Sequence, residues 1–201
     1  MVCGTGLAVG APLSADPRIA KISFTGSNAV GRKVMQAAAA RTLPVALELG
    51  GKSPILVFAD SDLDQAVQWI IAGICWNAGQ MCSATSRLLV EDSIADALLA
   101  KLASAQAALK VSDPQDADCE MGPLTSQAQL HKVLEYFAIA KDEGLRCLSG
   151  ARQLPGPGWF VAPTLYADVP ENSRLWREEI FGPVLCSRRF SDEADALQQA
   201  N

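Results

Sequence analysis

The sequence contains a single histidine, His131, and no cysteine pair spaced as C-x-x-C. These shortages exclude the usual zinc donor sets, which draw on closely spaced cysteines and histidines. No metal is expected. They also weigh against a cysteine hydrolase, whose thiol needs a histidine partner, because His131 sits in a helical pattern with no recognisable signature around it. Basic runs are missing too, and with a net charge of −5 the chain lacks the positive footprint of a nucleic-acid binder. No apolar stretch is long enough to span a bilayer; the run 67–78 is short and interrupted, so no membrane partner is expected. No secretory leader pattern follows Met1, and the six cysteines are scattered, so reduced thiols in the cytoplasm are the expected state.

What remains is a chain with 49% hydrophobic residues, enough for a substantial core. Strand-like and helix-like periods alternate along it, which predicts an α/β fold with mostly parallel strand pairing. Strands are predicted at 19–24, 44–47, 55–58, 86–90, 160–165 and 183–188. Helices are predicted at 29–40, 63–77, 93–108, 126–143 and 192–200, the second capped by Ser61 or Asp62. The Pro- and Gly-bearing stretches 112–116 and 154–158 read as surface loops.

Four segments carry possible chemistry. In Phe24-Thr25-Gly26-Ser27-Asn28-Ala29-Val30-Gly31, a strand turns through glycine into a helix whose free N–H groups suit a phosphate; an ordinary strand-to-helix turn reads the same way. In Leu47-Glu48-Leu49-Gly50-Gly51-Lys52, a carboxylate stands between two leucines that would desolvate it, as a general base requires; a surface glutamate before a turn is the alternative. In Trp76-Asn77-Ala78-Gly79-Gln80-Met81-Cys82, a thiol follows a glycine break after a helix, exposed among backbone amides that favour the thiolate; a packing cysteine is the alternative. In Arg177-Glu178-Glu179-Ile180-Phe181-Gly182-Pro183, a carboxylate is available for ribose hydroxyls, unless both acids are simply solvated.

In this order the four segments resemble the aldehyde dehydrogenase superfamily, with its FTGS-x-x-x-G, ELGGK-x-P, GQ-x-C and E-x-x-FGP motifs, and the intervals from Glu48 to Cys82 and from Cys82 to Glu179 agree with it as well. Gly122-Pro123-Leu124 and the Lys132-Val133 pair extend the likeness over nearly the whole chain. The resemblance implies the end of a Rossmann-type coenzyme domain over residues 1–50 and an incomplete α/β catalytic domain over 51–201, in a piece of a longer protein. It implies a catalytic thiol at Cys82 and a base at Glu48. Glu48 points to hydrolytic release of the acid, since the branch that passes its thioester to coenzyme A typically lacks this residue. It further implies NAD or NADP held by Gly26, Ser27, Gly31, Leu49, Gly50, Glu179 and Phe181, and a parent enzyme that is a homodimer or homotetramer. The asparagine that completes the oxyanion hole and the residues that distinguish NAD from NADP belong to parts of the family not matched here. Around the thiol the sequence looks most like the betaine-aldehyde and aminoaldehyde branch. There Trp76, with Met81, would line the substrate site and offer an indole face to a cation, unless Trp76 only packs in the core.

Overall fold

A computed structural model describes all 201 residues. The chain forms two compact units, Met1–Gly50 and Gly51–Asn201.

In the first unit a wide, π-helical turn at Gly6–Gly10 runs into the short helix α1 (Ala11–Ala15), followed by β1 (Ile22–Gly26), α2 (Asn28–Ala39) and β2 (Val45–Leu49). The two strands pair in parallel, with Thr25 opposite Glu48 and Gly26 opposite Leu49. β1 begins later than its apolar run suggests. The preceding carbonyls are taken by the Arg41 guanidinium, which donates to Pro17 O at 2.8 Å, Ile19 O at 3.2 Å and Asp16 O. The Ser27 hydroxyl caps α2 by accepting from the Val30 N–H at 3.4 Å. Gly31 lets the helix approach β2, because a Cβ there would lie 2.5 Å from the Leu49 side chain.

The second unit is built on a five-stranded sheet of order β3-β4-β7-β6-β5, comprising β3 (Pro54–Val57), β4 (Arg87–Glu91), β5 (Arg146–Ser149), β6 (Thr164–Ala167) and β7 (Val184–Phe190). Every pairing is parallel except β5 with β6, as the sequence pattern predicts for most of the sheet. The interior strands read as continuous apolar runs because both faces are covered. Leu88, Leu89, Val90, Leu165 and Leu185 are buried there with Leu98 and Leu102 of α4 (Asp92–Ala108) and Ile70 and Ile74 of α3 (Leu63–Cys75). Each such leucine contributes about 2 kcal/mol from burial. Asp62, not Ser61, caps α3, accepting from Asp64 N at 2.9 Å and Gln65 N at 3.1 Å.

The remaining helices are α5 (Gln127–Asp142), α6 (Arg174–Arg177) and α7 (Glu193–Ala200). Arg87 fastens the sheet to its surroundings through bonds to Lys52 O at 2.7 Å and to Gln199 O and Ala200 O at the end of α7. The expected strand at 160–165 starts only at Thr164, because Pro163 has no N–H to donate; upstream, Val161 makes a lone bridge to Gln153.

Candidate active site

The chain reverses sharply after α3. That helix was expected to reach Asn77 but stops at Cys75, and a single tight turn, Trp76–Gly79, follows. Asn77 and Ala78 both have φ of 52° and Gly79 has 71°, three left-handed residues in succession. For the two non-glycine residues this costs of order 1 kcal/mol each. Gln80 offsets that strain. Its Nε2 donates to Asn77 O at 3.0 Å, its Oε1 accepts from Thr125 N at 2.9 Å, and Asn77 Nδ2 returns a bond to Gln80 O at 3.1 Å. Gly79 is pressed against Gly182, where an added Cβ would stand 2.2 Å from the carbonyl oxygen. Gly79→Ala is therefore expected to destabilise the protein by about 3 kcal/mol or more, read as a lowered denaturation midpoint in urea. An unchanged midpoint would show that the turn tolerates a side chain.

The outcome of the turn is an exposed Cys82. Cys75, seven residues earlier, makes the contrast: it is buried, and burial pushes its thiol up to about 12, so it packs as a protonated, inert group. Cys82 thus has the accessibility that a packing cysteine lacks. Trp76 is 72% exposed, which removes core packing as an account of it within this unit. Met81 and Gly79 line a small cleft with Glu179, Ile180, Phe181 and Gly51.

The two neighbouring acids separate cleanly. Glu178 is engaged by Arg174 through two bonds of 2.9 Å and by the Tyr136 hydroxyl at 2.7 Å, and the Arg174 guanidinium is the main reason its carboxyl lies below the ordinary value. Burial first, and Glu178 second, push the Tyr136 phenol up to about 12. Glu179 has a different situation, since its Oε1 is buried with no hydrogen-bond partner. A buried acceptor in that state leaves a desolvation cost that a ligand donor would relieve. Phe181, two residues on, has a φ of 62°. Nearby, Lys52 Nζ is also buried and unpartnered, and burial pushes its pKa down.

In the first unit Gly26 and Ser27 are exposed at the start of α2, whereas Gly31 is buried. Glu48 lies on the exposed face of β2, while Leu47 and Leu49 alternate to the partly buried face. This corrects the expectation that those leucines desolvate it, because successive strand residues point to opposite sides. Leu49 packs its side chain against Gly31 of α2. Gly50 follows it, half-buried.

Sequence reasoning missed the side chains of α5 that hold the Glu179 segment. Gln129 Nε2 donates to Ile180 O at 3.0 Å and Phe181 O at 2.7 Å, and Lys132 Nζ donates to Glu179 O at 2.8 Å. His131 on the same helix is exposed. All six cysteines are free, no group of three or more His, Cys, Asp or Glu side chains is placed to hold a metal ion, and no helix is long and apolar enough to cross a membrane.

A family model described as "Aldehyde dehydrogenase family" matches residues 1–201. Among curated proteins the chain is similar to a betaine aldehyde dehydrogenase of Beta vulgaris named as chloroplastic, 47% identical over 100% of this chain and 41% of that protein. It is also similar to an aminoaldehyde dehydrogenase of Malus domestica named as peroxisomal, 47% identical over 100% of this chain and 40% of that protein. Among solved structures it matches a betaine aldehyde dehydrogenase from Staphylococcus aureus in complex with NAD+, with a TM-score of 0.96, 36% identity and coverage of 100% of this chain and 40% of that one. An NAD+ complex of an aldehyde dehydrogenase from Bacillus cereus matches with a TM-score of 0.96, 35% identity and coverage of 98% and 40%. The chain therefore spans about two fifths of the length of the relatives it matches. The cytoplasmic expectation is overturned by the chloroplastic and peroxisomal names of these relatives. Reduced thiols mark any reducing compartment, so they were too weak a basis for choosing the cytoplasm.

Proposed function

Because the chain belongs to the aldehyde dehydrogenase family, we propose that it carries the thiol, the base and the nicotinamide-ribose contact of an NAD(P)-dependent enzyme that oxidises an aldehyde to its carboxylic acid. The observation that bears most weight is the exposure of Cys82 on a turn held by Gln80, with its neighbour Met81 lining a cleft together with Glu179, whose Oε1 is buried and unpartnered. The units would then be the end of a coenzyme domain, Met1–Gly50, and most of a catalytic domain, Gly51–Asn201.

The Cys82 thiolate adds to the aldehyde carbon, forming a C–S bond and an oxyanion that the Cys82 backbone N–H helps to stabilise. Loss of hydride from that carbon converts the thiohemiacetal to a thioester, and NAD(P)+, when bound, is the hydride acceptor. Glu48 removes a proton from water as its oxygen attacks the thioester, which breaks the C–S bond and returns the thiolate with the acid. The residues fit a dinucleotide. Ser27 and the exposed first turn of α2 suit the pyrophosphate, a side chain in place of Gly31 would displace Leu49, and the unpartnered Glu179 oxygen suits a ribose hydroxyl, with Phe181 two residues on. Leu49 and Gly50 complete the cofactor contacts of the family pattern.

For the substrate we favour betaine aldehyde or an aminoaldehyde, after the names of the relatives, with the exposed Trp76 indole as a cation–π platform and Met81 as a wall. Trp76→Ala in the full-length enzyme is expected to raise KM for betaine aldehyde about tenfold and leave KM for a neutral aldehyde of similar size within twofold. Equal losses for both would remove the cation–π role of Trp76. Titration of the full-length protein with NAD+ and NADP+, followed by aldehyde turnover, tests the reading as a whole. Absence of both binding and turnover would reject it.

A further inference from the structure

Side chains on one face of α5 reach across to the segment that carries Glu179 and Phe181. Gln129, Lys132 and Tyr136 recur at three- and four-residue intervals, which places them in one stripe along the helix. Tyr136 fixes the Glu178 carboxylate, Lys132 the Glu179 carbonyl, and Gln129 the carbonyls of both Ile180 and Phe181. Val133, between them, meets Gly182 so closely that a Cβ on the glycine would stand 2.6 Å from its Cγ2. One helix face thus engages every residue from Glu178 to Gly182.

The segment needs that support. Phe181 is an aromatic residue at a φ of 62°, a left-handed conformation that is unfavourable by roughly 1–2 kcal/mol and persists only when its surroundings over-determine it. Unheld, the Ile180 and Phe181 peptide planes would rotate toward the extended region, and the side chains of Glu179 and Phe181 would swing with them. The residue just before the cap of the same helix also anchors the thiol turn, since Thr125 N donates to Gln80 Oε1.

We propose that Gln129 is a positioning residue: the two N–H bonds of its amide, divided between adjacent carbonyls, lock Phe181 in its left-handed conformation and so aim Glu179 and Phe181 at the nicotinamide riboside of the cofactor. A primary amide provides two donors on one nitrogen without a charge, which explains why glutamine occupies this place. Lys132 acts alongside it on a single carbonyl. The inference rests on the reading of Glu179 and Phe181 as cofactor contacts given above.

The test uses the full-length enzyme with Gln129→Leu, Gln129→Glu and Lys132→Met, measuring dissociation constants for NAD+ and for AMP, which lacks the nicotinamide riboside half. With two neutral hydrogen bonds removed, Gln129→Leu is expected to weaken NAD+ about tenfold while AMP stays within twofold. Gln129→Glu, of the same shape with no donor, is expected to do at least as much. Lys132→Met, losing one bond, is expected to do less; this milder variant still decides the matter if the position-129 variants fail to fold. Hydrogen exchange should quicken at Phe181 and Gly182 but not in β4. NAD+ affinity unchanged in all three variants, or NAD+ and AMP weakened equally as by general loosening, would overturn the proposal while leaving the dehydrogenase reading intact. No binding of either ligand by the wild type would overturn both.

Discussion

Cys82→Ala in the full-length enzyme is expected to lower aldehyde oxidation by about 10⁴-fold or more, with NAD+ affinity and folding stability essentially unchanged. The size of the loss follows from the proposed mechanism, in which the thiol forms the C–S bond of the thiohemiacetal from whose carbon hydride leaves, so its removal deletes the route instead of slowing one step of it. The reason for the small effect on folding is that Cys82 is exposed, and surface substitutions away from special backbone features shift stability by less than about 0.5 kcal/mol. Cys75 supplies the internal control. Being buried and protonated, it should leave turnover unaffected when replaced by serine or alanine, apart from a loss of stability. Steady-state turnover and alkylation by iodoacetamide, mapped by mass spectrometry, check both. Retention of substantial turnover by Cys82→Ala would reject the thiol mechanism outright.

The parts of the site that were legible in the sequence are those fixed by local chain geometry. The turn that exposes Cys82 needs left-handed residues, and Asn77 and Gly79 are types that accept them, so a break after the helix could be read from composition. The glycine turn at Gly26 marked the passage from β1 into α2 in the same way. What stayed hidden depended on contacts between distant residues. Gln129 drew no notice and Lys132 figured only in a pair that extends the family likeness, because their carbonyl partners lie some fifty residues further along the chain. β5 escaped notice because Arg146-Cys147-Leu148-Ser149 is a short, partly polar edge strand, broken by a bulge, without the apolar run that marks the interior strands. Glu48 illustrates an error of a third kind. Its neighbours in sequence suggested an apolar setting, yet strand alternation turns Leu47 and Leu49 away from it, so adjacency along a strand says nothing about adjacency of side chains.

That correction sharpens what Glu48→Gln should do. The flanking leucines lie on the other face and do not desolvate the carboxylate, and in the proposed mechanism Glu48 acts as a base only on the water that attacks the thioester. In that mechanism acylation needs no base from Glu48. The expected result is a burst of NADH equal to about one turnover at the wild-type rate, followed by steady-state turnover slower by roughly 10²–10⁴-fold, the span typical of general base catalysis. The acyl group should then accumulate on Cys82 and add its mass to the intact protein. Hydroxylamine, which attacks thioesters without a general base, should restore turnover in the variant. Stopped-flow absorbance and intact-protein mass spectrometry distinguish the outcomes. Loss of the burst itself would move Glu48 from thioester hydrolysis to thiol activation, and an unaffected steady state would remove it from the chemistry.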